Sequence, residues 1–251
     1  MPKFFVTSDI HSFYKPLTQA LDEAGFDPNN KDHWLVVCGD MFDRGDDSGL
    51  VLQFIISLER KILVRGNHDL LLRDLCKRGF PYRHDFHNGT TTTVYDLGDA
   101  RIGNDFDKCC EVTQNKLKEY NGLLVNYFET QNYIFVHSFI PVNPKGFDTY
   151  TYREDWRDAT DSEWEQYAMW NNPFFMSQDG LNETGKTIVF GHWHCSTGHA
   201  MDSGYEIGEF EPNAIWEPYF NKKTKIIGID RCVAYTGELN VVILEDEFIN
   251  G

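Results

Sequence analysis

The sequence predicts an α/β fold with a parallel or mixed sheet, and three observations lead there. Short apolar runs of strand length alternate with stretches of helical periodicity through the first third of the chain. They recur in the order strand, helix, strand, helix, which is the rhythm of βαβ units. The 251 residues suffice for a single domain with a full hydrophobic core, and no internal repeat or flexible linker divides them.

Taken in order, residues 4–7 (Phe-Phe-Val-Thr) form the first expected strand. Phe13, Leu17, Ala20, Leu21 and Ala24 then recur at helical spacing, and Gly25 supplies the stop. A second strand is expected at 34–38 and a helix at 50–58, then a third strand at 61–64 and a helix at 69–78 ended by Gly79. From 80 to 131 the rhythm breaks into a polar insertion, read as a cap or helical layer with one helix near 112–120. Its Thr90–Thr93 run reads as a solvated loop or helix start. A strand returns at 132–136, and a second insertion, 143–183, is rich in Trp and Tyr. The strand 187–190 leads into Gly191. The end of the chain alternates in β fashion at 225–230, 233–235 and 239–244, with Tyr235-Thr236-Gly237-Glu238 placed as a hairpin turn.

Acidic side chains outnumber basic ones 39 to 23, for a formal charge of −16, which repels nucleic-acid backbones and argues against a polyanion groove. An apolar fraction of 41% and a charged fraction of 25% are those of a soluble globular protein. No apolar run approaches the roughly 18–20 residues of a membrane span. Met1-Pro2-Lys3 runs into an apolar stretch that stops at Asp9, too short for an export signal, so a cytoplasmic location is expected. Six cysteines without a C-x-x-C pair suit a reducing compartment rather than a disulfide framework. Cys195, next to His194, is the one cysteine for which a metal role is conceivable.

Five short clusters each begin where an apolar strand stops. They are Ser8-Asp9-Ile10-His11, Gly39-Asp40-Met41-Phe42-Asp43-Arg44-Gly45, Arg65-Gly66-Asn67-His68-Asp69, Val136-His137-Ser138 and Gly191-His192-Trp193-His194. Sites in open α/β sheets assemble at the carboxyl ends of strands, where loops converge. Asp, His and Asn without Cys suit borderline-to-hard divalent ions. Asp9 and His11, two apart, can point to one side as an extended chain ends, and His194 can alternate back to the side of His192. A carboxylate has two oxygens, so one Asp can bridge two cations. Any one cluster alone has an ordinary structural reading; the five together point to a dinuclear centre.

These clusters resemble the signature of the calcineurin-like metallophosphoesterase superfamily, whose motifs run G/S-D-x-H, G-D-x-x-D-R-G, G-N-H-D/E, a lone His after a strand, and G-H-x-H. Asp43-Arg44-Gly45 is further similar to the serine/threonine protein phosphatase branch and to the diadenosine tetraphosphate hydrolases. The resemblance implies a four-layer αββα sandwich of two mixed sheets, with the C-terminal strands in the second sheet. It implies one metal held by Asp9, His11, Asp40 and His194, and another by Asp40, Asn67, His137 and His192. The two would be divalent ions, Mn²⁺ ahead of Fe²⁺ or Zn²⁺. His68 would be the general acid, paired with Asp43; Arg44 would contact the phosphoryl oxygens, with Arg65 a second candidate. Ser12-Phe13-Tyr14 departs from the glycine that usually ends the first motif, and His194 departs from the protein phosphatases. A further arginine of that branch would be Arg153 or Arg157, and Met169–Pro173 is similar to its aromatic segment.

The expected activity is hydrolysis of phosphomonoesters, including phosphoserine and phosphothreonine in proteins, by a metal-bridging hydroxide. The alternative is hydrolysis of dinucleoside polyphosphates, for which Tyr82, Tyr150, Tyr152, Trp156 or Trp164 could stack a base. A metal-binding scaffold without turnover is the reading from another class. Expected partners are thus a phosphorylated small molecule, nucleotide or phosphoprotein, with no nucleic acid and no membrane.

Overall fold

Residue alternation along the strands accounts for the layers. In β1 (Lys3–Thr7), Phe5 joins one buried cluster while Phe4 and Val6 join another, so both faces of the strand are covered. β2 (His33–Cys38) repeats the pattern, with Leu35 and Val37 on the first side and Val36 and Cys38 on the second. The computed structural model describes residues 1–99, 105–146, 149–178, 183, 185–204, 213–217 and 226–249.

The βαβ rhythm is present as expected: α1 (Tyr14–Glu23) follows β1, α2 (Ser48–Ser57) follows β2, and α3 (Asn67–Arg78) follows β3 (Lys61–Val64). Among its described residues, the insertion after α3 holds four helices rather than the single one expected: α4 (Arg83–His87), α5 (Thr90–Leu97), α6 (Phe106–Lys116) and α7 (Lys118–Leu123). Sequence periodicity under-reports them because α4 and α7 are one to two turns long and α5 opens on four threonines, poor helix formers. Packing of Val94, Leu97, Cys109, Cys110 and Tyr120 against the core overrides that propensity.

β4 (Leu124–Val125), β5 (Phe128–Glu129) and β6 (Tyr133–Phe135) follow, then the hairpin of β7 (Val142–Gly146) and β8 (Thr149–Tyr152). α8 (Asp161–Tyr167), α9 (Pro173–Gln178), β9 (Thr187–Phe190), α10 (Cys195–Ser203) and β10 (Ile226–Gly228) lead to the end of the chain. Lys225, the expected start of the β10 run, lies outside the described residues. Residues 233–235 are not a strand: Val233–Thr236 is a short helix, α11, whose C-cap Gly237 is left-handed at φ 70°. The glycine taken for a hairpin turn ends a helix instead, a role that its positive φ serves equally well. β11 (Val242–Glu245) closes the chain.

One sheet has the order β11-β1-β2-β3-β4, parallel except for antiparallel β11. The other has the order β10-β9-β6-β5, parallel except for antiparallel β5. The C-terminal strands are therefore split between the sheets, not gathered in the second. Phe4, Val6, Val36 and Val64 of the first sheet share a buried cluster with Phe135, Val189 and Ile227 of the second, so the sheets stack face to face. Helices α1 to α3 and α5 to α7 contribute to the core outside the first sheet. Trp156, Trp164, Phe174 and Trp216 cover the outside of the second with Ile134, Ile188 and Phe190. This is the four-layer α/β sandwich. Among the described residues no helix is long and apolar enough to cross a membrane.

Candidate active site

The C-terminal ends of β1, β2, β3, β6 and β9 bring the five clusters together. Main-chain bonds tie their loops: Asp9 N donates to Gly39 O (3.2 Å), His11 N to Asp40 O (3.0 Å) and Gly191 N to His137 O (2.8 Å). Asp9, His11, Asp40, Asp43, Arg44 and His192 all hold left-handed φ values between 49° and 76°. Such non-glycine conformations cost about 1–3 kcal/mol each and gather at functional sites. The first motif is thus not the end of an extended strand; both Asp9 and His11 are presented by left-handed turns. Gly66 and Gly191 serve close approach: a Cβ at Gly66 would collide with the Asp40 carboxylate, and one at Gly191 with that of Asp9.

The hydrogen bonds define what the buried imidazoles offer. His137 Nδ1 lies 2.9 Å from the Cys38 carbonyl, and a carbonyl only accepts, so Nδ1 donates there. In the neutral ring, Nε2 then carries a lone pair, and it faces Asn67 Oδ1 (2.7 Å), His192 Nδ1 (3.1 Å) and Asp40 Oδ1 (3.4 Å). His11 is built alike: Nδ1 donates to the Phe42 carbonyl (3.0 Å) and Nε2 lies 4.0 Å from Asp40 Oδ2. Apart from a proton that His192 Nδ1 can carry in one tautomer, His137 Nε2 and the oxygens around it are acceptors, and a cation among them would satisfy them. Two such groups could hold a metal ion: His11, Asp40 and His68, and Asp40, His137 and His192, with Asp40 common to both.

Charge balance agrees. Burial and the charges of Asp230 and Asp40 raise the Asp9 carboxyl well above its usual range. Burial, then neighbouring His137, lowers His192 to about 3, and burial with Arg44 and His68 lowers His11. Neutral imidazoles and crowded buried carboxylates form a donor set fitted to a hard or borderline divalent ion.

The seven expected ligands do not all stand in the same relation to this centre. Asp40, Asn67, His137 and His192 meet as expected. His11 meets Asp40 together with His68 rather than with Asp9, whose Oδ2 accepts from His192 N (2.9 Å). His194 is the N-cap of α10, 4.0 Å from Asp230 Oδ2 through Nε2, and lines an open cavity of about 600 Å³ beside Arg44. Asp230 was not singled out in the sequence, although it follows the end of β10 as the five clusters follow theirs. Cys195 is buried, and burial with the charge of Asp230 pushes its thiol up.

His68 and Asp43 are paired: Nδ1 donates to Asp43 Oδ2 at 2.7 Å. Asp43 is fully buried and takes two further donors, Thr90 Oγ1 to Oδ2 and Thr93 Oγ1 to Oδ1, both at 2.8 Å. The threonine run, read as a solvated loop or helix start, is a helix start, and it opens α5 against the Asp43 carboxylate. Burial alone would lower His68, but Asp40 and the hydrogen-bonded Asp43 outweigh it and raise its pKa. Thr90→Val is expected to lower stability by about 1.5–3 kcal/mol, the worth of a hydrogen bond to a charged group, with Thr90→Ser recovering most of it in urea unfolding. An unchanged unfolding midpoint in Thr90→Val would show that the bond contributes nothing net.

The arginines divide. Arg44 is exposed at the cavity. Arg65 donates to Asn126 Oδ1 (3.2 Å) and lies 3.6 Å from Asp161 Oδ2, lining a different cavity from that of Arg44. Arg153 pairs with Asp155 and Glu163, and Arg157 with Glu129 and Glu183. Trp156 and Trp164 are fully buried beside Tyr127, and Tyr152 donates to Glu183, so these rings pack the outer layer of the second sheet.

A two-sheet α/β sandwich with a histidine–carboxylate centre at its strand ends defines a metallohydrolase architecture. The chain belongs to the calcineurin-like phosphoesterase family, whose model matches residues 2–225. It is 44% identical over 69 residues to a symmetrical bis(5'-nucleosyl)-tetraphosphatase of Proteus mirabilis (strain HI4320), covering 27% of this chain and 24% of that protein. It is 30% identical over 138 residues to the protein of that name in Cellvibrio japonicus (strain Ueda107), covering 55% of this chain and 45% of that one. The matched part thus spans less than half the length of either relative. A metallophosphoesterase structure from Sphaerobacter thermophilus has the same fold, at a TM-score of 0.53 and 16% identity, covering 97% of this chain and 83% of that one.

Proposed function

We propose that this chain hydrolyses phosphoric esters and anhydrides at a dinuclear metal centre, with dinucleoside polyphosphates as its substrates. The observation that carries the chemistry is the convergence of His11, Asp40, Asn67, His137 and His192 beside the His68–Asp43 pair. Asp9 and His194 complete the proposed ligand set, and Mn²⁺ is the ion to supply first. Divalent ions held there would supply Lewis-acid charge neutralisation and a nucleophile at neutral pH.

The protein groups have separable tasks. Asp43 accepts from Nδ1 of His68 and so leaves Nε2 to carry a proton to the departing oxygen. Thr90 and Thr93 hold the Asp43 carboxylate in register. Arg44 offsets charge on the phosphoryl oxygens from the cavity side. A scaffold without turnover would have no use for the paired acid.

The names of the relatives favour the dinucleotide reading over the phosphomonoester one placed first from sequence. The phosphoprotein variant keeps the support of Asp43-Arg44-Gly45 but had called for a further arginine, and Arg153 and Arg157 are both engaged with carboxylates. The test compares kcat/KM of the Mn²⁺-loaded protein for a bis(5'-adenosyl) tetraphosphate and for a phosphothreonine peptide. Preference for the dinucleotide is expected; preference for the peptide would restore the phosphatase reading.

A further inference from the structure

The cavity beside the metal centre has a composition that the hydrolytic chemistry does not require. It combines Arg44, His87 and His194 with two large aromatic side chains, Phe86 at 61% exposure and Tyr235 at 66%. No carboxylate is among the described residues that line it, in a chain whose net charge is −16. Phe86 lies on α4 and Tyr235 on α11, helices far apart in sequence that the fold brings to one opening.

We infer that Phe86 and Tyr235 form a nucleobase subsite, receiving the base of a nucleotide whose phosphates run past Arg44 toward His68. The inference rests on the dinucleotide reading above and adds where the base sits. Exposed Phe and Tyr rings present apolar surface to water, and stacking a heteroaromatic base removes it. Every base has a π face, so such stacking tolerates adenine and guanine alike. The volume of about 600 Å³ suits a small organic ligand. Asp43 and Arg44 are adjacent, and a Cβ at Gly89 would collide with the backbone of Arg44. The junction at Gly89, which follows the helix that carries Phe86, is therefore seated directly on the Asp43–Arg44 turn. Of the aromatics named from sequence, Trp156 and Trp164 are buried in the outer layer of the second sheet, and Tyr82, Tyr150 and Tyr152 are not among the residues that line this cavity.

The experiment is calorimetric titration of the Mn²⁺-loaded full chain with α,β-methylene-ADP and with methylenediphosphonate, which share a hydrolysis-resistant P–C–P bridge and differ by the nucleoside. Stacking one base is worth roughly 5- to 150-fold in affinity. The wild type should therefore prefer the nucleotide by at least about tenfold. In Phe86→Ala/Tyr235→Ala the preference should fall to within about twofold, while Tyr235→Phe, which keeps the ring, should retain it. Equal binding of the two probes by the wild type, or a preference that survives in the double variant, would overturn the subsite. If the preference is present and lost as expected but the wild type does not turn over a dinucleoside tetraphosphate, the subsite stands and the proposed substrate falls.

Discussion

Replacing Asp40 by Asn is expected to lower kcat/KM for an activated phosphate ester by on the order of 10³-fold or more, because several kcal/mol of metal-derived charge stabilisation go with it. Asp40 is the one residue common to both candidate metal groups. Its Oδ1 accepts from His68 N at 3.0 Å and lies 3.4 Å from His137 Nε2, while Oδ2 lies 4.0 Å from His11 Nε2. Burial alone would raise this carboxyl; the imidazoles of His137, His68, His11 and His192 reverse that and hold it below the usual carboxylate range. An amide keeps the shape but offers one oxygen, and its NH₂ cannot ligate. Metal content should fall from two ions per chain together with activity, with unfolding in urea as the control for integrity. Two ions retained with activity intact would remove Asp40 from the bridging role.

His68→Asn tests the acid, and an activity loss of about 10²–10⁴ is expected. The loss should be greatest for substrates whose leaving group has a high pKa, since these depend most on protonation. Because His68 Nε2 lies 3.9 Å from Asp40 Oδ2, the ring is also positioned as a metal ligand, and metal analysis separates the roles. An acid leaves both ions in place when removed; a ligand does not. The pH dependence adds a sign. With its pKa raised in the folded protein, His68 stays protonated to higher pH than a free imidazole, and its ion pairing stabilises the fold fully below the usual imidazole pKa. That contribution, and activity on poor leaving groups, should be lost as pH rises through the raised value. Asp43→Asn should shift this alkaline limb to lower pH. A loss equal across leaving groups, with an unmoved limb, would falsify the acid assignment.

The parts of the site that were legible in the sequence share one property. Asp9, Asp40, Asn67, His137 and His192 each follow an apolar strand, and strand ends converge in any parallel or mixed sheet, so order along the chain implies proximity. Asp230 obeys the same rule after β10, but Asp230-Arg231-Cys232 adds no His or Asn to the lone carboxylate. Thr90 and Thr93 had no such signal. A hydroxyl is informative only once its partner is known, and Asp43 is 47 and 50 residues away. Arg65 and the tryptophans show the converse. Adjacency to a motif or membership of a polar insertion does not say which way a side chain turns, and Asn126, Asp161 and the outer core claimed them.

By itself, then, the sequence determined the layered α/β class, the first three βαβ elements and the donor chemistry of the centre. Apolar periodicity and ligand type are local properties, set within a few residues. Only the tertiary structure decided the splitting of β10 and β11 between two sheets, the helix at Val233–Thr236 and the support of Asp43 by α5. It also decided that Phe86 and Tyr235 line one cavity with Arg44. Each of these depends on which distant surface a short segment is buried against, and local propensity does not encode that choice.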